Sequence, residues 1–460
     1  MAAKTMSLKK NGYLTVDIED ITDLGFGVAK HEGIVVFVAD TVPQDRARVK
    51  VIKVNSSYAV ARCEELLVPS PLRVADRCGE SACRACAYKC ISYTEELRRK
   101  EEGVRRLFAP LGITTLPILP SVKEKRYRNK AQYPISFADG KYSLGFFAPK
   151  SHRVTPVGDC PLTPPVFSEI CAVLLDFFAR HGLTVYDEQS GEGLLRHVYL
   201  RRGELSHELL VTLVINGTSL PHSAELTDEL ASRFPDTVGI LLNVNRENTN
   251  VILGDEYITL FGRDHIYDTL AGVRLKITAP AFYQVNHDTA ELLYREAARL
   301  ASPRSDDVLL DLYCGAGSIG LSMAESVREL IGIEIVDSAV ECARENAAAN
   351  GASNAHFFTG DAKNTERLLE HAEAELGRRI EPDVIILDPP RGGCDESLIS
   401  FASSLSPRKI VYISCNPKTL ARDVKSFAEL GYVTDSVLPV DMFPGTGHVE
   451  SVVCLQRQTN

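Results

Sequence analysis

The chain has 460 residues, 45% hydrophobic and 24% charged, which is typical of a globular protein with two or three domains. Its formal net charge of −10 argues against a general polyanion binder, because phosphate contacts come from Lys and Arg. No charge-free apolar stretch reaches the roughly 18 residues that a membrane span needs, and residues 1–10 lack the apolar core of a secretory signal. We therefore expect a cytoplasmic protein with no membrane partner.

Five short runs rich in β-branched residues, separated by turn residues, lie between residues 12 and 67. Short strands at this spacing are typical of a small, OB-like β-barrel. Gly25, Gly27 and Gly33 suit the positive φ angles or bulges that barrel corners need. The sequence therefore predicts a barrel domain over residues 1–68.

Three cysteines lie close together after the barrel, with four residues between Cys78 and Cys83 and two between Cys83 and Cys86. Disulfides rarely persist in a reducing compartment, so this spacing favours one compact metal centre. Cys90 and Cys160 are both candidates for a fourth ligand. A helix is predicted directly after the cysteines, from its spacing of apolar residues.

Residues 69–263 form a predicted central domain of mixed α/β structure, and a basic, aromatic region lies within it at residues 121–154. Cations there can hold phosphates and rings can stack on unpaired bases, which favours RNA binding. A solvated β-hairpin face would show the same pattern. The cations are Lys123, Lys125, Arg126, Arg128, Lys130, Lys141, Lys150 and Arg153, and the rings are Tyr127, Tyr133, Tyr142, Phe146 and Phe147.

Residues 264–460 alternate strand-like and helical segments regularly, which predicts a Rossmann-like, doubly wound parallel sheet. The first turn after a buried strand contains Gly315, Gly317 and Gly320 in the GxGxxG spacing, where the backbone can approach a ligand closely. This glycine pattern alone fits NAD as well as S-adenosylmethionine.

Three acidic residues near strand ends, Asp311, Asp361 and Asp388, favour S-adenosylmethionine, whereas Glu334 suits the ribose of either cofactor. Asp311 precedes the glycines, where it could face the amino group of the methionine part. Glu334 is placed for the ribose hydroxyls and Asp361 for the adenine. Asp388 begins the sequence Asp-Pro-Pro-Arg, which an enzyme that transfers hydride does not need.

Cys415 follows the strand-like segment at residues 409–414, with Asn416 as a candidate helix N-cap and Pro417 at the first helical position. A thiol at a helix N-terminus is expected to have a lowered pKa, and we expect this of Cys415. A nucleophilic thiol suits a methyltransferase whose target carbon is unreactive, as C5 of uracil is, because addition at C6 activates C5. The C5 proton must then leave to a base, for which Glu450 is the candidate, with His448 as an orienting group.

These motifs together resemble the RNA (uracil-5-)-methyltransferases, most closely the 23S rRNA enzymes with a TRAM domain and an iron–sulfur cluster. The resemblance covers nearly the whole chain. It implies that Cys415 is the nucleophile and Glu450 the base. The residues that it assigns to the cofactor or the target base are Gln284, Tyr313, Glu334 and Asp388. The matching segments are the barrel at 10–68, YRNKAQYPI (127–135), GFFAPKSHRV (145–154), AFYQVN (281–286), DLYCGAGSIG (311–320), LDPPR (387–391), YISCNP (412–417) and GHVE (447–450).

The resemblance also implies a [4Fe-4S] cluster held by Cys78, Cys83, Cys86 and Cys160. The family usually has five residues between the first two of these cysteines, whereas this chain has four. A structural zinc site on Cys78, Cys83, Cys86 and Cys90 is the alternative.

The expected substrate is a uridine of 23S rRNA, with tRNA as the alternative, and we expect a monomer. Two other functions are compatible with parts of the sequence: a radical S-adenosylmethionine enzyme and a non-catalytic RNA-binding protein. The first needs a CxxxCxxC run, which this sequence lacks, and the intact Cys415 and Glu450 argue against the second.

Overall fold

The computed structural model describes residues 8–76, 78, 83–148, 151–362, 364 and 367–458. The chain divides into two compact units. The first comprises residues 1–103 with 443–449, and the second comprises residues 104–442 with 450–460. Lys150, a member of the predicted basic region, lies outside the described residues.

The first unit contains a six-stranded sheet with the strand order β1-β5-β6-β4-β3-β2. One strand more than predicted forms, because the chain turns at Ile18 and Glu19 from a pairing with β5 to a pairing with β3. Alternate residues of β5 point into a core of small apolar side chains, including Ala47, Val49 and Val51. The strands are β1 (Tyr13–Asp17), β2 (Asp20–Ile21), β3 (Gly27–His31), β4 (Ile34–Ala39), β5 (Arg46–Val54) and β6 (Tyr58–Val68).

The predicted helix after the cysteines is confirmed as α1 (Tyr93–Phe108), which begins in the first unit. Glu95 and Glu96 lie in its first turn, where the helix dipole favours acidic side chains. Glu96 is fully buried, pairs with Lys100 (Oε1 to Nζ, 2.8 Å) and accepts a hydrogen bond from the backbone N–H of Gly445. This buried carboxylate therefore attaches the segment 443–449 to the helix.

The second unit contains a seven-stranded sheet at residues 130–262, with the order β10-β9-β8-β11-β12-β13-β14. Helices α2 and α3 supply Phe167, Phe177 and Leu226 to an apolar core that also includes inward-pointing residues of the strands. The elements are β8 (Lys130–Ala138), β9 (Lys141–Phe147), β10 (Val154–Pro156), α2 (Pro165–His181), β11 (Leu195–Arg202), β12 (Leu209–Ile215), α3 (Ser223–Arg233), β13 (Thr237–Val244) and β14 (Glu256–Gly262), preceded by β7 (Thr114–Thr115).

A nine-stranded sheet in the same unit follows the hairpin β15–β16 and the helix α4. The elements of this part are β15 (His265–Leu270), β16 (Val273–Thr278), α4 (His287–Ala301), β17 (Val308–Leu312), α5 (Ser318–Leu321), β18 (Glu329–Glu334), α6 (Asp337–Ala349), β19 (Ala355–Thr359), α7 (Glu370–Leu376), β20 (Val384–Leu387), α8 (Glu396–Ser404), β21 (Lys409–Ser414), α9 (Pro417–Glu429), β22 (Tyr432–Val433), β23 (Ser436–Val440) and β24 (Glu450–Arg457).

The main path of this sheet has the order β19-β18-β17-β20-β21-β24-β23-β7. Strands β17 to β21 pair in parallel, and β24 pairs antiparallel with β21, so the predicted doubly wound sheet is confirmed with an antiparallel edge. The chain runs outward from β17 to β19 and then returns to β20 on the other side of β17. In such sheets, ligands bind at the carboxyl ends of the strands where the order reverses. Within the described residues, every helix is too short or too polar to cross a lipid bilayer.

Candidate active site

The reversal point of the sheet lies between β17 and β20, and it brings two acidic residues of these strands together. Asp311 is the fourth residue of β17, and Asp388 directly follows the end of β20. Burial raises the pKa of Asp388 to about 7. Burial also raises the pKa of Asp311 to about 7, with the Asp388 and Glu334 carboxylates adding to the effect. The predicted placement of Asp311 and Asp388 at one edge is therefore observed.

The glycine turn after β17 is shaped by close packing around Gly320. A Cβ atom at this position would lie 2.7 Å from Leu330 Cδ1 and 2.8 Å from Asp311 Oδ2, so only glycine fits without displacing both. The N–H of Gly320 donates to Asp311 Oδ2 at 2.9 Å. Tyr313 (φ 65°) and Gly317 (φ 82°) have left-handed backbone conformations, which turn the chain from the strand into α5.

The other carboxylate oxygen of Asp311, Oδ1, is buried without a hydrogen-bond partner among the described residues. A buried polar oxygen of this kind is costly unless a ligand satisfies it. A cationic amino group would do so and would also favour the ionised form of the carboxyl. The unpartnered acceptor Asp311 Oδ1 therefore fits the amino group of S-adenosylmethionine.

Glu334 ends β18 and is held by backbone donors. Its Oε2 accepts from the N–H of Gly315 (3.2 Å), and its Oε1 accepts from the N–H groups of Ile335 (2.8 Å) and Val336 (3.0 Å). A carboxylate has about four acceptor positions, so this orientation still leaves capacity for a ligand hydroxyl. Asp361 is exposed and lies two residues beyond the end of β19. It therefore does not end the strand, as the sequence suggested, although it follows it closely.

The loop between β16 and α4 carries Gln284, a buried residue whose backbone oxygen accepts from Asn129 Nδ2 at 2.8 Å. The Gln284 side chain hydrogen-bonds to Tyr294, whose hydroxyl lies 2.9 Å from Ser318 Oγ, directly after the glycine turn. Tyr294 and Ser318 are site residues that the sequence analysis missed. Phe282, in the same loop, is 70% exposed.

Cys415 lies in the two-residue turn between β21 and α9, as predicted. Asn416 caps the helix by accepting from the N–H of Lys418 (3.2 Å), and Pro417 occupies the first helical position. The Asn416 Nδ2 also donates to the backbone oxygen of Arg391 at 3.0 Å. This bond joins the Cys415 turn to the loop that begins with Asp388.

Glu450 is the first residue of β24 and is only 6% exposed. The antiparallel register pairs Ser414 with Ser451, which places Cys415 and Glu450 at the next facing position. Burial, reinforced by Asp388, raises the pKa of Glu450 to about 8, while Arg391 lowers it. The structure therefore brings the two predicted catalytic residues together on neighbouring strands.

The pKa of the Cys415 thiol is raised, so the expectation of a lowered pKa is wrong. Burial is the main cause, and the nearby Glu450 and Asp388 carboxylates add to it, whereas Arg391 acts in the opposite direction. The helix N-terminus does not outweigh two acidic neighbours in a buried setting. Arg391, the last residue of the LDPPR segment, is thus a cation that favours both the Cys415 thiolate and the Glu450 carboxylate.

Residues 92–458 match the family described as tRNA (Uracil-5-)-methyltransferase, and residues 9–63 match the TRAM domain. The chain belongs to the RNA (uracil-5-)-methyltransferase family. Its six-stranded N-terminal sheet is a TRAM domain, and the family transfers methyl groups from S-adenosylmethionine.

Relatives of this methyltransferase align over almost its whole length. A protein of Halalkalibacterium halodurans, named as an uncharacterized RNA methyltransferase, is 36% identical over 99% of both chains. A Lactococcus lactis protein with a similar description is 38% identical over 98% of both chains. The crystal structure of the Pyrococcus abyssi tRNA (uracil-54, C5)-methyltransferase in complex with S-adenosyl-L-homocysteine has a TM-score of 0.78 and 28% identity. That match covers 96% of this chain and 99% of the other.

The cysteines of the methyltransferase fall into two classes. Cys171, Cys314, Cys342, Cys394 and Cys454 are buried, as expected for small apolar side chains. The predicted cluster ligands Cys78, Cys83, Cys86 and Cys160, and the alternative ligand Cys90, are all half-buried.

A preformed zinc site on the cysteines at 78–90 would need four sulfurs about 3.8 Å apart, from the tetrahedral Zn–S distance of about 2.3 Å. Among the described residues of this segment, no three sulfurs lie within 4.8 Å of one another.

The Cys160 turn is fixed by Arg126. The Arg126 Nη1 donates to the backbone oxygens of Cys160 and Thr163, both at 2.9 Å, and pairs with Asp159 Oδ1 at 2.6 Å. The backbone N–H of Arg126 donates to Pro161 O at 2.9 Å. Arg126 was predicted to bind RNA, but these contacts give it a structural role at the candidate ligand Cys160.

The rest of the predicted basic region is also less available than the sequence suggested. Lys123 pairs with Glu204 and Asp288, and burial lowers the pKa of Lys130 to about 8. Two of the predicted stacking rings, Tyr127 and Tyr133, are buried in the second unit and cannot stack on bases. Among the members that the structure describes, Lys125, Lys141, Arg153 and Phe147 are exposed.

Proposed function

We propose that this enzyme methylates C5 of a uridine in 23S rRNA, with Cys415 as a covalent nucleophile and Glu450 as the general base. The observation that carries the proposal is the facing position of Cys415, directly after β21, and Glu450, the first residue of β24, beside the acidic edge of the cofactor site. A thiol and a carboxyl placed together serve a reaction that adds a nucleophile and later removes a proton.

The reaction begins with the Cys415 thiolate attacking C6 of uracil, which forms the S–C6 bond and moves the C5–C6 π electrons into an enolate. When bound, S-adenosylmethionine would supply the electrophilic methyl group that C5 accepts, and the electron pair of the broken S–CH3 bond would stay on its sulfur, which leaves as a neutral thioether. Glu450 then takes the proton from C5. The C5–H electron pair restores the C5–C6 double bond, and the Cys415 thiolate leaves.

The residues of the sheet edge would hold the cofactor. Asp311 suits the amino group through its unpartnered Oδ1, and Glu334 suits the ribose hydroxyls. Asp361 follows β19 at the edge where adenine would bind. Gln284 and Tyr313 would complete the site beside the target base, together with the close-approaching backbone at Gly315 and Gly317.

The target uridine has to be unpaired or flipped out of its helix, since attack on C6 needs access to one face of the ring. Extrusion costs a few kcal/mol, least in a loop. The TRAM domain supports a 23S rRNA substrate. The Pyrococcus abyssi tRNA (uracil-54, C5)-methyltransferase, whose structure is similar, keeps tRNA as the second candidate.

The substrate is tested by methyl transfer from tritiated S-adenosylmethionine to unmodified 23S rRNA and unmodified tRNA. We expect label in 23S rRNA at 5-methyluridine, and loss of one or two such sites in a strain that lacks the protein. Label in tRNA alone would contradict the rRNA assignment and leave the chemistry standing. Label in neither RNA would contradict the function.

We also propose that Cys78, Cys83, Cys86 and Cys160 hold a [4Fe-4S] cluster. Four half-buried thiols form a suitable donor set for iron, and the Arg126 contacts hold the Cys160 turn in place. Cys160→Ser should lose iron and the brown colour, while the matched variant Cys90→Ser should keep both. Equal iron content in Cys160→Ser and the unmodified protein would contradict this ligand set.

A further inference from the structure

A cavity of about 730 Å³ opens in the seven-stranded sheet, and its lining residues include none of the active-site residues. It forms where the sheet splits. The ladder between β8 and β11 ends at the pair Pro134 and His197, whereas β8 goes on pairing with β9 as far as Ala138 and Lys141. Proline has no N–H with which to extend the ladder. The segment 183–189 forms the opposite wall.

Two phenylalanine rings of this cavity are exposed, Phe137 at 53% and Phe147 at 42%. The Phe137 ring packs against Tyr142 with 4.6 Å between ring centroids. The Tyr142 hydroxyl donates to the backbone oxygen of Leu183 at 2.6 Å, which fixes this wall. Exposed aromatic faces on a fixed wall are suited to stacking on a planar ligand.

The imidazole of His197 faces the same cavity, with its ring centroid 6.3 Å from that of Phe147 and the ring planes nearly perpendicular. Within the described residues, both of its ring nitrogens are buried and have no hydrogen-bond partner, so a base edge that displaced the atoms covering them would satisfy them. Burial, with a smaller effect from Arg196, lowers the pKa of His197 to about 4. The ring is therefore neutral at pH 7 and offers one donor and one acceptor.

The acidic residues of the cavity are both engaged. Asp187 Oδ1 accepts from the N–H groups of Gln189 (3.1 Å) and Ser190 (2.8 Å), and the Glu188 carboxylate contacts His152 Nδ1 at 2.6 Å. The exposed cations Lys141 and Arg153 are the sequence neighbours of the lining residues Tyr142 and His152.

We propose that this cavity binds an unpaired nucleobase of the RNA substrate, distinct from the target uridine, with Phe147 as a stacking face and His197 as the partner of the base edge. This inference rests on the proposed function, since it takes the substrate to be RNA. A nucleobase has two stacking faces and an edge with neighbouring donors and acceptors, which matches the two kinds of group that the cavity leaves unpaired. The volume also admits the attached ribose.

The test compares Phe147→Ala with Phe261→Ala, a phenylalanine that is 38% exposed on β14 of the same sheet. It also compares His197→Phe with His197→Gln, which keeps a donor and an acceptor. Steady-state methylation of unmodified 23S rRNA should show a KM for RNA about tenfold higher in Phe147→Ala, which loses a stacking face, and in His197→Phe, which loses the hydrogen bonds to the base edge. The kcat and the KM for S-adenosylmethionine should stay unchanged, as should every constant of Phe261→Ala, and His197→Gln should recover most of the RNA affinity.

A second measurement locates the contact in the unmodified enzyme. RNA containing 4-thiouridine should crosslink on irradiation to peptides that contain residues 134–154 or 183–197. If the enzyme methylates RNA but Phe147→Ala keeps its KM for RNA within twofold, or the crosslinks map only to other peptides, this inference is overturned while the proposed function stands. If the unmodified enzyme methylates no RNA, the proposed function itself is overturned.

Discussion

The carboxyl edge of the nine-stranded sheet has a cofactor half, with Asp311 and Glu334, and a catalytic half, with Cys415, Glu450 and Asp388. The two halves hold their carboxylates in different ways. On the cofactor side, Glu334 accepts three backbone N–H bonds and Asp311 accepts one. On the catalytic side, the electrostatic effects of Asp388 and Glu450 raise the pKa of the Cys415 thiol, and Arg391 opposes them. Fixed backbone donors suit a site that only binds, whereas groups that exchange protons need pKa values near the working pH.

The largest difference between the two halves should appear when the nucleophile is removed. Cys415→Ala cannot form the enolate, so methyl transfer to RNA should fall by a factor on the order of a thousand or more. Binding of S-adenosylmethionine, measured by calorimetry, should stay within about twofold, because the thiol belongs to the catalytic half. A Cys394→Ala variant, which removes a buried thiol from the loop between β20 and α8, is the control and should keep its activity. Residual turnover in Cys415→Ala close to that of the unmodified enzyme would contradict the assignment.

Asp311→Asn tests the cofactor half. Because the folded-state pKa of Asp311 is about 7 against an ordinary 3.8, its burial costs nothing below about pH 4 and destabilises the protein increasingly up to about pH 7. The variant without cofactor should therefore melt several degrees higher at pH 8 and equally at pH 4. Its affinity for S-adenosylmethionine should fall about tenfold or more, since a charged hydrogen bond is lost. The exposed variant Asp306→Asn should change neither quantity, and an unchanged cofactor affinity in Asp311→Asn would contradict the role of Oδ1.

The smallest expected effect is a shift in the pKa of Cys415 itself. Glu450 is ionised above about pH 8, so Glu450→Gln removes a negative charge and should lower the pKa of the thiol. Arg391→Met removes a cation and should raise it. The rate of iodoacetamide alkylation at Cys415, followed by mass spectrometry against pH, measures both shifts. If the pKa of Cys415 shifted in the same direction in both variants, the opposite effects assigned to Glu450 and Arg391 would be contradicted.

The sequence predicted most of this edge because its signals are local. Asn416 and Pro417 indicate a helix start, and the glycine spacing indicates a close turn, so Cys415 and the cofactor strands could be placed before the fold was known. The pKa of Cys415 could not be predicted in this way. It depends on Glu450 and Asp388, which are distant in sequence and meet only through strand pairing.

For the basic region at 121–154, the sequence predicted which residues are present but not which of them are accessible. The sequence gives its cations and rings directly, but whether they can contact RNA depends on tertiary contacts such as the Arg126–Asp159 pair and the burial of Tyr133. Ser318 lies within the quoted glycine segment at 311–320, but Tyr294 gave no sequence signal, because a single hydroxyl within a helix has no characteristic spacing. Composition indicates what a segment can bind, and only packing decides which of its side chains remain free.

The most direct test of the covalent mechanism is to find the reaction step at which the Glu450→Gln enzyme stalls. This variant keeps the nucleophile and lacks the base, so addition to C6 and methyl transfer can occur while loss of the C5 proton is slowed roughly 100-fold to 10,000-fold. On denaturing gels with labelled RNA, we expect a slow-migrating protein–RNA adduct that requires S-adenosylmethionine and is absent from the double variant Cys415→Ala with Glu450→Gln. Normal turnover of Glu450→Gln, or an adduct that persists without Cys415, would contradict the covalent mechanism.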